Sequence, residues 1–126
     1  MSKAKILYIE DNPDNMTLVR RILEIEGYEV IPAETGQEGL DKAFADQPDI
    51  VITDINLPDI DGYQVTDALK KAHQTAHIPV IAMTANVMQK DRDHVFRVGC
   101  DGFISKPIDV DELPLLIENF LKGVFT

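Results

Sequence analysis

The sequence predicts an α/β fold, a five-stranded parallel sheet in the order 2-1-3-4-5 flanked by five helices. Three observations predict it. Short apolar runs of strand length alternate with segments whose apolar residues recur at helical spacing, along all 126 residues. The joining loops are short, so successive strands run parallel through right-handed crossovers and helices cover both faces of the sheet. Four of the apolar runs end in polar residues of chemical use: Glu10-Asp11, Asp54, Thr84 and Lys106-Pro107.

Each element has its own local signals. Residues 4–9 read as a fully buried strand. Asn12-Pro13 supplies a capping residue followed by proline at the first helical position. Met16, Val19, Ile22 and Leu23 make the apolar face of that first helix, and Gly27 stops it. Residues 28–33 form the second strand. Thr35-Gly36-Gln37-Glu38 reads as a capping box opening the second helix, with Leu40, Ala43 and Phe44 facing inward and Pro48 ending it. Residues 50–54 are the most apolar strand, followed by the turn-rich Leu57-Pro58-Asp59-Ile60-Asp61-Gly62. A third helix is expected over about residues 63–72, carrying Val65, Ala68 and Leu69, with Lys70-Lys71 as a solvated end. The fourth strand spans 78–84 and a fourth helix about 87–98, stopped by Gly99 before a fifth strand over 102–105. Asp109-Val110-Asp111-Glu112 caps the last helix, whose inner side carries Leu113, Leu116, Ile117, Phe120 and Leu121.

Composition bounds the function. The chain fits one domain, residues 1–126, large enough for a buried core without staples. Hydrophobic residues make up 44% and charged residues 27%, the balance of a soluble globular protein. The single cysteine, Cys100, reads as a small packing residue and permits no internal disulfide, in keeping with the expected cytoplasmic location. No run approaches the ~20 apolar residues of a membrane span. A net charge of −10 without a basic stripe argues against nucleic acid and anionic membranes as partners.

The acidic residues gather near two strand ends: Glu10, Asp11 and Asp14 at one, Asp54, Asp59 and Asp61 at the other. In the order 2-1-3-4-5 the first and third strands end side by side at the switch point, where ligands bind. Glu10-Asp11 alone reads equally well as caps or solvated loop charges. Asp54, ending a buried strand, needs a partner against desolvation. Three converging carboxylates favour Mg²⁺, a hard cation of oxygen ligands, and Asn56 offers its backbone carbonyl as a further one. Thr84 alone says little, and Lys106 alone is an ordinary surface lysine. Pro107 holds Lys106 extended, and a cis bond is compatible with such a turn. Together the four strand ends meet the needs of phosphoryl transfer to Asp54: a metal site, a nucleophilic carboxylate, a hydroxyl and a fixed cation. His73, His77 and His94 show no metal-ligand pattern, Met16, Met83 and Met88 read as gap fillers, and Gly36 and Gly39 form no phosphate cradle.

From Lys5 to about Leu121 the chain resembles bacterial response-regulator receiver domains of the chemotaxis type. The motifs are Ile9-Glu10-Asp11-Asn12, Asp54-Ile55-Asn56-Leu57-Pro58 with Asp61-Gly62, Ile81-Ala82-Met83-Thr84-Ala85, and Gly99-Cys100-Asp101-Gly102-Phe103-Ile104-Ser105-Lys106-Pro107. Asn12-Pro13-Asp14-Asn15-Met16 looks most like single-domain regulators of the DivK kind and receivers of hybrid kinases. The resemblance implies the same strand order. It implies Asp54 as phosphoacceptor, Glu10, Asp11, Asp54 and the Asn56 carbonyl as the Mg²⁺ site, and Thr84 and Lys106 as switch hydroxyl and phosphate-binding lysine. Phe103, a strand residue whose ring suits core or surface, corresponds to the rotameric aromatic that fills the space Thr84 vacates. The face of the fourth helix, fifth strand and fifth helix is then the expected output surface.

The expected partners are a sensor histidine kinase or histidine phosphotransfer protein as donor and a downstream protein as target, with the chain a monomer or a phosphorylation-linked dimer. The chain is expected to be a self-modifying switch and not a turnover enzyme. Its ordinary start and lack of a linker suggest a complete protein, although a receiver cut from a hybrid kinase or larger regulator would look similar. A Mg²⁺-dependent aspartyl-phosphate phosphatase of the haloacid-dehalogenase type is the competing class. It is disfavoured because Asn56 stands where such enzymes carry a second Asp, and no residues are spare for a cap. A flavodoxin-like FMN binder would need a phosphate-cradling first loop, and Glu10-Asp11 would repel its ligand.

Overall fold

In the computed structural model, which describes residues 4–85, 93 and 96–123, strands β1 (Lys5–Ile9), β2 (Glu29–Ala33), β3 (Ile50–Asp54), β4 (Val80–Thr84) and β5 (Gly102–Ser105) form one sheet. Its order is β2-β1-β3-β4-β5, and every neighbouring pair is parallel. The helices are α1 (Pro13–Ile25), α2 (Gly36–Asp46), α3 (Gly62–Lys71) and α4 (Glu112–Leu121). Four helices are thus seen among the described residues where five were expected. The helix expected over about 87–98 falls largely outside them, although Asp93, Phe96 and Arg97 have helical backbone.

Strand side chains alternate between the two faces of a sheet, and the core divides accordingly. Ile6, Tyr8, Ile50, Ile52, Ile81, Met83 and Ile104 pack with Val19 and Leu23 of α1 and Leu113, Ile117 and Phe120 of α4. Leu7, Ile9, Val51 and Val80 pack with Ala43 of α2 and Val65 and Leu69 of α3. β1, β3 and β4 therefore have no solvent face, which explains their uninterrupted apolar runs.

The caps hold in part. Asn12 accepts from the Asn15 N–H at 3.0 Å with Pro13 following, and Gly27 and Gly99 take the left-handed backbone of helix stops, at φ 96° and 104°. At α2 the Thr35 hydroxyl accepts from the Glu38 N–H, but Glu38 reaches back to the Glu34 N–H and not to Thr35. The reciprocal capping box forms instead at α3, between Asp61 and Gln64. Phe44, expected inside, is 42% exposed. α2 packs on Ile9 of β1 at Gly39, where even a Cβ would collide, while Gly36 faces Ile60 and Val65, so the helix lies too close for a large ring on that side. Lys70 is no solvated helix end: its Nζ bonds the Ile78 carbonyl at 2.8 Å and Asp101 Oδ2 at 2.9 Å. Cys100 is buried as expected, and burial pushes its thiol pKa up. His73 and His77 are exposed, whereas His94 and Met88 lie outside the described residues.

Asp59 is also placed differently from the acidic cluster expected of it. From the turn after β3 its carboxylate accepts from the Gly36 and Gln37 N–H groups at 2.8 and 2.9 Å, capping α2 across the fold. The Gln37 bond leads in holding its pKa below the ordinary 3.8. A depressed folded-state pKa stabilises the fold above the unfolded value and stops doing so as pH falls through the folded one. Asp59→Ala is therefore expected to lower the urea midpoint at neutral pH, with the gap to wild type closing below pH 3.8. A gap independent of pH would assign the loss to packing.

Candidate functional site

The carboxyl ends of β1, β3 and β5 bring together Glu10, Asp11, Asp54 and Lys106, and Thr84 ends β4, the strand between β3 and β5. Glu10 follows β1 directly and is fixed by its own N–H, which bonds the Ala33 carbonyl at 2.9 Å. Glu10 is 1% exposed and Asp54, at the neighbouring strand end, 4%. Asp11 is exposed beside them. Ligand oxygens of Glu10, Asp11 and Asp54 lie within 4.8 Å of one another. Asp14, Asp59 and Asp61 are not members of that group, and the latter two serve as helix caps.

Among the described residues, one cation answers these charges. Lys106 Nζ stands 3.0 Å from Asp54 Oδ2 and 3.1 Å from Glu10 Oε1. Its main-chain N–H bonds the Thr84 carbonyl at 2.8 Å, and the Lys106–Pro107 peptide bond is cis. Burial pulls the Lys106 pKa down, but hydrogen bonds to Asp54 and Glu10 outweigh it and leave it raised. The second Asp54 oxygen, Oδ1, accepts from the Asn56 N–H at 3.2 Å, so the turn after β3 is tied to the carboxylate. Thr84 is buried at the end of β4, one residue past the partner of Asp54 in the sheet register.

Phe103 packs in a different cluster. It is half-buried against Ile55, Ala82 and Cys100, and its ring meets Phe96 edge-on at a centroid distance of 6.2 Å. A groove beside it is lined by Phe103, Ser105, Pro107, Ile108 and Leu116.

Two polar contacts at Glu10 escaped the sequence reading. The fully buried Tyr8 hydroxyl donates to Glu10 Oε1 at 3.1 Å, and Asn15 Nδ2 donates to the same oxygen at 3.3 Å. The signals were present: residues two apart on a strand share a face, and a tyrosine inside a buried run needs a partner for its hydroxyl. Burial, followed by the Glu10 charge, raises the Tyr8 pKa far above its ordinary value and keeps the hydroxyl a donor.

The donor set fits a hard divalent cation. Among the described residues three carboxylates face one ammonium, and the candidate ligands are all oxygens.

A family model for the response regulator receiver domain matches residues 6–118. The chain belongs to that family. As a receiver domain it is 41% identical over 121 residues to the polar-differentiation response regulator DivK of Brucella ovis, a match spanning 96% of this chain and 98% of that protein. Its fold is similar to that of a chemotaxis response regulator of Vibrio cholerae, with a TM-score of 0.88 at 28% identity over 92% of this chain and 97% of the other. It is likewise similar to the receiver domain of a sensor histidine kinase from Pseudomonas aeruginosa, with a TM-score of 0.87 at 30% identity over 94% and 98% of the two chains. That structure has a magnesium ion coordinated in the active-site cleft. The order β2-β1-β3-β4-β5 is thus the receiver fold, and the chain is the receiver domain of a two-component response regulator. No helix among the described residues is long and apolar enough to cross a membrane.

Proposed function

We propose that this receiver domain is a phosphorelay switch in which Asp54 accepts a phosphoryl group from a phosphohistidine on a sensor kinase or phosphotransfer protein. The observation that carries the proposal is the Lys106 ammonium, held at 3.0 and 3.1 Å by two buried carboxylates beside an exposed third. A lysine so placed can meet an oxygen of an incoming phosphoryl group without reorganising, the arrangement that stabilises charge developing in the transition state. Asp54 supplies the attacking oxygen. Its bond to phosphorus forms as the donor's phosphorus–nitrogen bond breaks, and the imidazole keeps the electron pair. Thr84 contributes its hydroxyl to a phosphoryl oxygen. Glu10, Asp11, Asp54 and the Asn56 carbonyl would hold Mg²⁺, which when bound neutralises charge on the phosphoryl oxygens. Hydrolysis of the aspartyl phosphate resets the domain, so it modifies itself and turns over no diffusible substrate. The net charge of −10 supports an output through binding to other proteins and not to nucleic acid or anionic membrane.

A phosphoryl group adds about −1.5 to −2 charges. The half-buried Phe103 and its groove support an output face around β5 and α4, together with the segment holding Phe96. A phosphorylated-state mimic is expected to shift the amides of β5 and of residues 96–98 in NMR. Unshifted amides there would remove that face from the account. The phosphorylation itself is tested by incubating the protein with Mg²⁺ and acetyl phosphate and measuring intact mass. One phosphoryl group is expected, dependent on Mg²⁺ and absent from Asp54→Ala. A gain that survives the substitution would assign the chemistry to another carboxylate.

A further inference from the structure

We propose that Tyr8 is a positioning residue for the cation site, its buried hydroxyl turning the Glu10 carboxylate so that Oε2 faces the metal. The inference rests on the reading of Glu10 as a metal ligand. Glutamate carries one more methylene than aspartate, so its carboxylate swings more freely unless something anchors it. Here three donors converge on one oxygen: Tyr8 Oη at 3.1 Å, Lys106 Nζ at 3.1 Å and Asn15 Nδ2 at 3.3 Å all reach Oε1. Oε2 takes only the Asn12 N–H, at 3.3 Å, among the described residues. An oxygen accepting three hydrogen bonds has little lone-pair capacity left, whereas Oε2 keeps capacity for a cation.

Of the three donors, Tyr8 is the most rigidly placed. Its ring is fully buried on the α1–α4 face of the sheet, and its hydroxyl also lies 3.6 Å from Met83 Sδ on β4. Lys106 is shared with Asp54, and Asn15 reaches over from the first turn of α1. Tyr8 alone of the three lies on β1, two residues before Glu10.

The test is a double-mutant cycle on Mg²⁺ affinity, measured by calorimetry on wild type, Tyr8→Phe, Glu10→Asp and the double variant. Phenylalanine keeps the packed ring and removes only the donor. Aspartate withdraws the carboxylate by about one carbon–carbon bond, roughly 1.5 Å, and out of the hydroxyl's reach. Tyr8→Phe is expected to weaken Mg²⁺ binding about three- to tenfold, the scale of one ordinary net hydrogen bond, because Lys106 and Asn15 still hold Oε1. In the Glu10→Asp background the same substitution is expected to change affinity less than twofold. Equal affinity in Tyr8→Phe and wild type would overturn the inference, even if the urea midpoint fell, because the hydroxyl would then be structural only. A full penalty persisting with Glu10→Asp would also overturn it, since Tyr8 would be acting through another group. If wild type bound no Mg²⁺, the metal reading itself would fall and this inference with it.

Discussion

Replacing Lys106 with methionine is expected to cost about 3 kcal/mol of folding stability, towards the low end of the cost of breaking a buried ion pair. The loss comes from what is left behind. Glu10 and Asp54 are buried beside each other, and the Lys106 ammonium touches both. Methionine retains most of the apolar stem, so the deficit is electrostatic: two desolvated like charges without a cation. The figure stays at the low end because the lysine side chain keeps 19% of its exposure. Urea unfolding with and without Mg²⁺ measures it, and Mg²⁺ is expected to recover part of the loss in the variant. The pH dependence has a definite sign. The Lys106 pKa is raised above 10.5, so its contribution is fully present below that value and is lost as pH rises through the higher folded-state pKa. A variant as stable as wild type at neutral pH would mean that solvent already screens the pair.

Gly62→Ala is expected to cost about 1–3 kcal/mol, the range for overpacking a filled interior. Gly62 opens α3 directly on the end of β3, its N–H bonding the Ile55 carbonyl at 2.9 Å. A Cβ there would collide with the carbonyl oxygen of Asp54 and stand 2.9 Å from the Ile55 Cα. Both neighbours are backbone of the strand end that carries the proposed acceptor, so relief requires moving Asp54 or tilting α3. Loss of stability is therefore expected together with weaker Mg²⁺ binding, in contrast to a core substitution of similar cost remote from the site. Urea midpoints and Mg²⁺ titration of the same protein read both effects.

The sheet was legible because β1, β3 and β4 are buried on both faces and so carry unbroken apolar runs, each ending at a polar residue. Once the order was set, the meeting of Glu10 with Asp54 followed from strand adjacency. Contacts chosen by tertiary approach were not legible. Thr35 and Glu38 have capping-box spacing, yet Asp59 occupies the α2 terminus from another loop and Glu38 turns to Glu34. Lys70 looked like half of a solvated pair, but the chain folds Asp101 and the Ile78 carbonyl onto its amine from 31 and 8 residues away. Phe44 has inward spacing on a helix wheel, but Gly39 brings the helix backbone against Ile9 of β1, too near for a large ring. Tyr8 lay hidden in the apolar run because its ring does belong there, and only its hydroxyl belongs to the site.

The most direct test of the account is to find which side chain carries the phosphoryl group. The protein phosphorylated with acetyl phosphate and Mg²⁺ would be reduced with borohydride, which converts an aspartyl phosphate to homoserine, and then mapped by peptide mass spectrometry. Homoserine at position 54 and nowhere else is the predicted result. Homoserine at Asp11, or an unreduced adduct on a hydroxyl or imidazole, would contradict the assignment of Asp54 as the acceptor held by Lys106.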